Sequence, residues 1–218
     1  MRQLASKWLK TKALLHHSYT AVYIPETCLY SEDQLRMMLR RHAFVFIKPV
    51  KGGGGVGVMR VAKEGSNYTC TRMEQTHRFS HFRALVIGIN KLRIQRPYLI
   101  QQGIQLASIQ GRPVDYRVKV VKEGEKWGFR AVVARLARPG LVITNLCKGG
   151  TLLKGTEALR MIYPQRLASR KRREIIELTR HCIPILERRF PGIEQLGFDY
   201  GLDRNGQVWI LEVNTRPQ

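Results

Sequence analysis

Two acids and an amide near the C-terminal end of the chain have the types and spacing to hold a hard cation. In the run G-F-D-Y-G-L-D-R-N-G-Q-V-W-I-L-E-V-N-T-R-P, residues 197–217, Asn205-Gly206 is a hairpin signal, because both central positions of a type I′ turn need positive φ. With Arg204 and Gln207 flanking that turn, Asp199 lies directly opposite Glu212. Strand residues two apart share a face, so Asn214 joins Glu212. Tyr200, Trp209, Leu211 and Val213 then point to the other, buried side. Carboxylates facing each other across a ladder repel, and a cation held between them removes the repulsion. Two carboxylates and one amide oxygen are hard ligands that suit Mg²⁺ or Mn²⁺ better than zinc. An exposed hairpin with a polar outer face is the plainer alternative.

A second chemical signal lies in F-V-F-I-K-P-V-K-G-G-G-G-V-G-V-M-R-V, residues 44–61. Phe44 to Lys48 reads as a strand, Gly52 to Gly55 with Gly57 as a glycine loop, and Val56 to Val61 as the returning strand. A Walker A loop would instead carry G-K-[ST] and open a helix, and a Rossmann turn is also followed by a helix. Without Cβ atoms, Gly53, Gly54 and Gly55 let the backbone approach a phosphate and turn N–H groups toward it. Lys48 ends the preceding strand and can add a point charge there. A merely flexible loop is the alternative. Further basic groups follow: Arg117 and Lys119 share one face of a strand, Arg135 ends the next, and Asn145 sits in the donor-rich loop T-N-L-C-K-G-G. Basic groups for phosphates and carboxylates for a metal make up the set that a nucleoside triphosphate with a divalent ion requires.

The elements that must position these groups follow from local pattern. Residues 1–20 are basic and helix-prone, with Trp8, Leu9, Leu14 and Leu15 as candidate buried positions. Ala21 to Ile24 reads as a short strand ended by Pro25. Ser31 begins a helix with Gln34 three residues on, a capping-box pattern, and Leu35, Met38 and Leu39 form its apolar stripe. Residues 66–78 read as a strand pair, 80–90 as a helix and 98–103 as a strand. Residues 115–122 alternate, with Tyr116, Val118 and Val120 on one face and Asp115, Arg117, Lys119 and Val121 on the other, and 126–136 form the antiparallel partner. A helix spans 170–189 with a basic start, and Pro184 is expected to kink or divide it.

Composition sets outer limits. The 218 residues are 44% hydrophobic, enough for one or two small domains with a core. No apolar run is long enough to span a membrane, and the N-terminus lacks the apolar core of a signal peptide. The 38 Lys and Arg against 16 Asp and Glu give a net charge of +22. Such a surface attracts phosphates, nucleic acid or acidic polymers, so an acidic protein or polyanion is a partner class it admits. Cys28, Cys70, Cys147 and Cys182 make no C-x-x-C spacing, and no Ser–His or Cys–His signature of nucleophilic catalysis is present.

Together S-K-W, Y-I-P-E-T, the I-K-P-V-K-G-G-G-G-V-G loop, L-I-Q-Q-G-I, D-Y-R-V-K-V-V, A-R-L-A with T-N-L-C-K-G-G, and the terminal L-E-V-N-T-R-P resemble the ATP-grasp superfamily, and within it the YheC/YheD endospore coat-associated family. The resemblance covers nearly the whole chain. It implies an α+β ATP-grasp fold, two subdomains with antiparallel sheets sandwiching the nucleotide, over a single unit 1–218. The lobes would be a glycine-loop lid at 20–100 and a metal and catalytic lobe at 101–218, with the superfamily's N-terminal substrate domain reduced or absent. The cofactors implied are ATP and Mg²⁺ or Mn²⁺. Lys48 and Lys119 would contact phosphates, Gly53 to Gly55 would fold over them, and Gln101, Gln102 and Ile104 would line the adenine pocket. Asp199, Glu212 and Asn214 would hold the metal. Arg117 and Arg135 would stabilise the transferred phosphoryl group and an acyl-phosphate, with Asn145 orienting phosphate or substrate. The implied activity is carboxylate–amine ligation, on a peptide or coat component, in the mother-cell cytoplasm and at the spore coat. The alternative is a catalytically weak or silent scaffold serving as a structural coat protein. Gln101-Gln102 stand where many superfamily members carry a hinge glutamate.

Overall fold

The computed structural model describes residues 4–139 and 149–215. Two compact units divide the chain, one of them Pro25–Gly103 and the other built from the segments on either side of it.

In the Pro25–Gly103 unit the strands are β1 (Thr27–Leu29), β2 (Phe44–Pro49), β3 (Met59–Glu64), β4 (Asn67–Arg72), β5 (Gln75–Phe79) and β6 (Tyr98–Gln102). They form one antiparallel sheet in the order β1-β6-β2-β3-β4-β5. Alternation assigns its faces. Val45, Ile47, Val61, Cys70 and Ile100 enter the core, whereas Phe46, Lys48 and Gln101 lie outside it. The helices α3 (Glu32–Arg41) and α4 (Phe82–Leu92) contribute to that core. Phe82, Leu85, Val86 and Ile89 of α4 recur at the spacing that makes one buried helix stripe. Ser31 caps α3 as its sequence requires, its Oγ accepting from the Gln34 N–H at 3.1 Å.

The other unit carries α1 (Lys7–Leu15), α2 (Ser18–Ala21), β7 (Ser108–Ile109), β8 (Arg112–Glu123), β9 (Lys126–Leu136), β10 (Thr151–Lys154), α5 (Gly155–Ile162), α6 (Gln165–Arg189), β11 (Gln195–Leu202) and β12 (Val208–Asn214). The sheet order is β10-β9-β8-β11-β12, with β7 on β8. Tyr116, Val118 and Val120 of β8 and Phe198 and Tyr200 of β11 pack with Leu178, Cys182 and Leu186 of α6. The fully buried Tyr200 hydroxyl is satisfied by Thr179 Oγ1 at 2.8 Å. α6 runs unbroken through Pro184, whose exposed position removes one backbone donor on the solvent side.

Residues Ala21 to Ile24 are not a strand. Thr20 Oγ1 donates back to the Leu14 carbonyl at 2.6 Å, and the N–H groups of Tyr23 and Ile24 close turns on Thr20 and Ala21. The helical turn therefore persists until Pro25, and the strand begins at Thr27.

Candidate functional site

β11 and β12 place Asp199 opposite Glu212, but by another route than a two-residue turn. The innermost pair is Leu202 and Val208, leaving a five-residue loop. Asp203 organises that loop. Its Oδ1 accepts from the N–H groups of Asn205 and Gln207 at 2.9 and 3.0 Å, and its Oδ2 accepts from Trp209 Nε1 at 3.0 Å. Only Gly206 needs positive φ there, at 79°. A bulge then inserts Leu211 between the Tyr200–Ile210 and Asp199–Glu212 pairs. The longer loop and the extra residue compensate each other, so the expected acid pair forms. The bulge also rotates the buried set: Val208, Ile210 and Val213 are buried, whereas Trp209 and Leu211 are half-exposed.

Each acid already faces a cation. Asp199 accepts from Arg117 Nε and NH2 at 2.8 and 2.9 Å, and Arg135 NH2 reaches its Oδ2 at 3.1 Å. Arg135 also forks onto Asp115 at 2.7 and 2.6 Å. Asp115, Asp199 and Arg135 are 4%, 7% and 8% exposed. Burial alone would push the Asp199 carboxyl up, but Arg117 and Arg135 outweigh it and hold the group below the usual carboxylate range. Burial likewise works against the Arg135 charge, and Asp115 and Asp199 overcome it. A second bulge makes this possible. Arg130 is the extra residue between the Val120–Phe129 and Lys119–Ala131 pairs, and it brings Arg135 opposite Asp115. Arg117 and Arg135, expected to stabilise a transferred phosphoryl group and an acyl-phosphate, are held on a carboxylate frame that includes Asp115.

Glu212 accepts from Lys7 Nζ at 2.5 Å. Lys7 lies on α1, where Leu14 is buried and Trp8 and Leu15 are half-buried as expected, but two lysines share the buried side and Leu9 does not. Lys7 and Lys10 are buried with Leu14, while Leu9 is 44% exposed. Lys10 donates to the Leu4 carbonyl at 2.9 Å, and burial lowers its pKa to about 8 against the opposing pull of Glu212. Leu4 N–H donates to Thr215 Oγ1 at 2.9 Å, tying the segment before α1 to the residue after Asn214. Sequence reasoning missed Lys7 and Asp115. The D-Y-R spacing, which puts Asp115 and Arg117 on one strand face, was an available signal for the latter.

The donors fit a divalent ion in kind, since two carboxylates and an amide supply hard oxygens at facing and alternate positions. Among the described residues nothing bonds to Glu212 Oε2 or to the Asn214 amide, while both oxygens of Asp199 are engaged by guanidinium. Lys119 stands two positions from Arg117, paired across the sheet with Gly197 and Ala131, and has no ion pair among the described residues. Asn145 lies outside the described residues.

In the Pro25–Gly103 unit, Lys48 Nζ donates to Gln101 Oε1 at 2.6 Å, and Gln101 Nε2 donates to Thr27 Oγ1 at 3.1 Å. Lys48 also stands over the Phe46 ring, 5.6 Å from its centroid, and Arg60 over Phe44 at 4.4 Å, so this sheet face combines cations with aromatic surface. Gln102 is used structurally, its Oε1 accepting from the Glu26 N–H at 3.1 Å. Gly53 and Gly54 are exposed, with no heavy atom within 4 Å of an added Cβ, and Gly54 and Gly55 have φ of 63° and 71°. Ile104 opens the second segment of the other unit and is buried.

Comparison with known proteins places this geometry. The chain is 28% identical over 223 residues to the endospore coat-associated protein YheD of Bacillus subtilis (strain 168), covering 97% of this chain and 48% of that protein. It is 27% identical to YheC of the same organism, covering 99% of this chain and 61% of that protein. The chain thus spans about half to three fifths of these relatives. Among solved structures, N5-carboxyaminoimidazole synthase from Aspergillus clavatus, in complex with ADP, superposes with a TM-score of 0.58 at 12% identity, over 100% of this chain and 46% of that one. D-alanyl-alanine synthetase A from Vibrio cholerae gives 0.55 at 15% identity, over 91% and 52%. Those likenesses establish an ATP-grasp fold, and the YheC/D-like ATP-grasp model matches residues 2–218. The chain belongs to the YheC/D-like ATP-grasp family.

Proposed function

We propose that the chain is an ATP- and Mg²⁺-dependent carboxylate–amine ligase that works through an acyl-phosphate, acting on a peptide or coat component and associated with the spore coat. The observation that supports it most is the Asp199–Glu212 pair with Asn214 two residues on, in a chain of this family. In this reading the Pro25–Gly103 unit is the glycine-loop subdomain and the rest is the metal and catalytic subdomain. Lys48 and Lys119 bind phosphates, and the open Gly53–Gly55 backbone supplies N–H donors to them. The Gln101-Gln102 segment and Ile104 line the adenine site, and Asn145 orients phosphate or substrate. Asp199, Glu212 and Asn214 hold the divalent ion, which when bound neutralises developing phosphate charge. Arg117, braced by Asp199, and Arg135, braced by Asp115 and Asp199, present fixed positive charge to the transferred group with little reorganisation. No protein nucleophile is required.

Isothermal calorimetry of ATP with and without Mg²⁺ tests this reading, with Glu212→Gln as control. Metal-dependent binding that Glu212→Gln weakens by at least tenfold is expected. No binding at millimolar ATP would eliminate the proposal. ADP release that depends on an amine acceptor would then identify the ligase step.

One observation favours a second reading, a silent scaffold in the coat: both Asp199 oxygens and one Glu212 oxygen are already paired with cations. ATP binding without ADP release for any acceptor supports that alternative. No helix among the described residues is long and apolar enough to cross a membrane.

A further inference from the structure

α6 presents one continuous exposed face. Arg166, Arg170, Arg173, Arg180 and Arg188 recur on it at intervals of three, four, seven and eight residues, so they fall along one side of the helix. The first and last are 22 positions apart, about 33 Å at helical rise. None of the five has an ion pair among the described residues. Glu177 is the face's single acid, and Lys171 and Glu174 neutralise each other at its flank. At the midpoint, Tyr19 of α2 lies against His181, ring centroids 4.4 Å apart, and remains 40% exposed.

The chemistry of this ridge narrows its partner. A stable protein–protein interface has an apolar core inside a polar rim. No large hydrophobic side chain of α6 is exposed, and Pro184 is the only apolar residue on the stripe. Arginines in a line with one open aromatic surface match a phosphate backbone with bases that can stack. We infer that the outer face of α6 is a docking track for single-stranded nucleic acid, with the five arginines on phosphates of one strand and Tyr19 as a stacking platform. This is separate from the nucleotide site and does not depend on it.

Fluorescence anisotropy of the full chain with a labelled twenty-nucleotide oligo-dT, over a range of KCl, tests the inference. Neutralising five phosphates on a single strand predicts a slope of log K against log salt of about −3.5. The triple variant Arg166→Gln/Arg170→Gln/Arg173→Gln is expected to make that slope shallower by about 2. A charge-matched control, Lys63→Gln/Arg83→Gln/Lys91→Gln, alters exposed positions of the other unit and should leave the slope near its original value. Tyr19→Ala should weaken oligo-dT about tenfold, the scale of one lost base–aromatic stack, while leaving inorganic polyphosphate binding unchanged. Circular dichroism on every variant confirms folding, and a Lys-for-Arg triple variant, retaining charge, should restore most of the slope. Equal loss in the ridge and control variants would overturn the inference, because the signal would then report net charge. Binding of poly-glutamate as tight as oligo-dT would overturn it too, in favour of an acidic protein partner.

Discussion

At Gly53 and Gly54 no heavy atom stands within 4 Å of where a Cβ would be, whereas Asp115, Arg135 and Asp199 are at most 8% exposed and joined by short bonds. The glycine segment is largely exposed and closes turns on itself, the Gly53 and Gly55 carbonyls accepting from Val56 and Val58 N–H at 3.3 Å. The acid frame has surrendered its hydration and stands only because each charge meets an opposite one. Under the proposed function, a phosphate arriving at the first meets exposed backbone with open space around Gly53 and Gly54. An ion arriving at the second must exchange with a guanidinium or ammonium already in place. The two regions therefore differ in what a mutation costs. Loss of one member should be severe in the frame and mild in the loop.

The sharpest way to break that contrast is Arg135→Met. It leaves Asp115 without its fork and Asp199 with Arg117 alone, so two buried carboxylates lose countercharge. A buried pair broken by removing one partner costs about 3–5 kcal/mol, and urea denaturation should show a loss of that size. A loss below about 1 kcal/mol would mean that the frame is more hydrated than its burial indicates. Arg117→Met should cost less, because the Arg117 side chain is 22% exposed.

Lys10 sharpens the same point with the opposite sign. Burial lowers its folded pKa to about 8, below the ordinary lysine value of 10.5, so the charged form is the disfavoured one in the native state. Below pH 8 both states carry the proton and the penalty is complete. Between 8 and 10.5 the unfolded chain binds more protons, so stability rises with pH, and above 10.5 the penalty is gone. Lys10→Met should stabilise the fold at pH 7 by up to about 3 kcal/mol. The difference between variant and parent should shrink toward pH 10.5, as chemical denaturation across that range would show. A gain that does not vary with pH would mean that Lys10 is not the titrating group. The Leu4 carbonyl, which Lys10 bonds, also accepts from Thr215 Oγ1 at 3.2 Å, so it keeps a partner.

These two positions also show where sequence stops being readable. The alternation over 115–122, the strand–glycine–strand pattern and the acid pair on the last hairpin are local, and each has its period within a few residues. The Asp199–Glu212 pairing is legible although the loop has five residues rather than two and the register beside it is shifted by one, because the Asp203 loop and the Leu211 bulge cancel. The price of that coincidence was the face of Trp209 and Leu211. No such cancellation helped with Arg135. Without the Arg130 bulge, the Glu123–Lys126 turn would set Arg135 opposite Val114 and hide the Asp115 fork. Lys7 was illegible for a different reason. Its partner lies 205 residues away, and a lysine in a basic helix carries no local mark of burial. Bulges and long-range ion pairs are products of packing, not of period.

Within the glycine segment, two positions three residues apart separate freedom from fit. A Cβ at Gly57 would stand 2.9 Å from Pro49 Cγ and from the Tyr98 hydroxyl, at a φ of 75°. Gly57→Ala should destabilise by about 2–3 kcal/mol, combining overpacking with a left-handed backbone. Gly54 shares the left-handed φ, at 63°, but has open space around it. Gly54→Ala should cost about 1 kcal/mol or less, because an exposed loop can relax. Thermal denaturation of the pair decides the matter. Equal losses would show that the segment is as constrained as the acid frame.

An effect of similarly small size bears most directly on exchange at the acids. Lys7 and Glu212 have side chains 10% and 22% exposed, so their pair is only partly shielded from water. Under the proposed function, a divalent ion reaching Glu212 must displace the Lys7 ammonium. Lys7→Met removes that competitor and keeps the length of the side chain. Mn²⁺ affinity without nucleotide, read from the free-ion signal in electron paramagnetic resonance, should rise about fivefold, which corresponds to about 1 kcal/mol for a partly exposed pair. Glu212→Gln in the same assay should abolish the binding, so an inactive metal site and an irrelevant Lys7 give different results. If Lys7→Met binds Mn²⁺ no better than the parent while Glu212→Gln binds none, the ammonium is a passive neighbour. Burial of Lys7 would then reflect packing of α1 rather than competition for the acid.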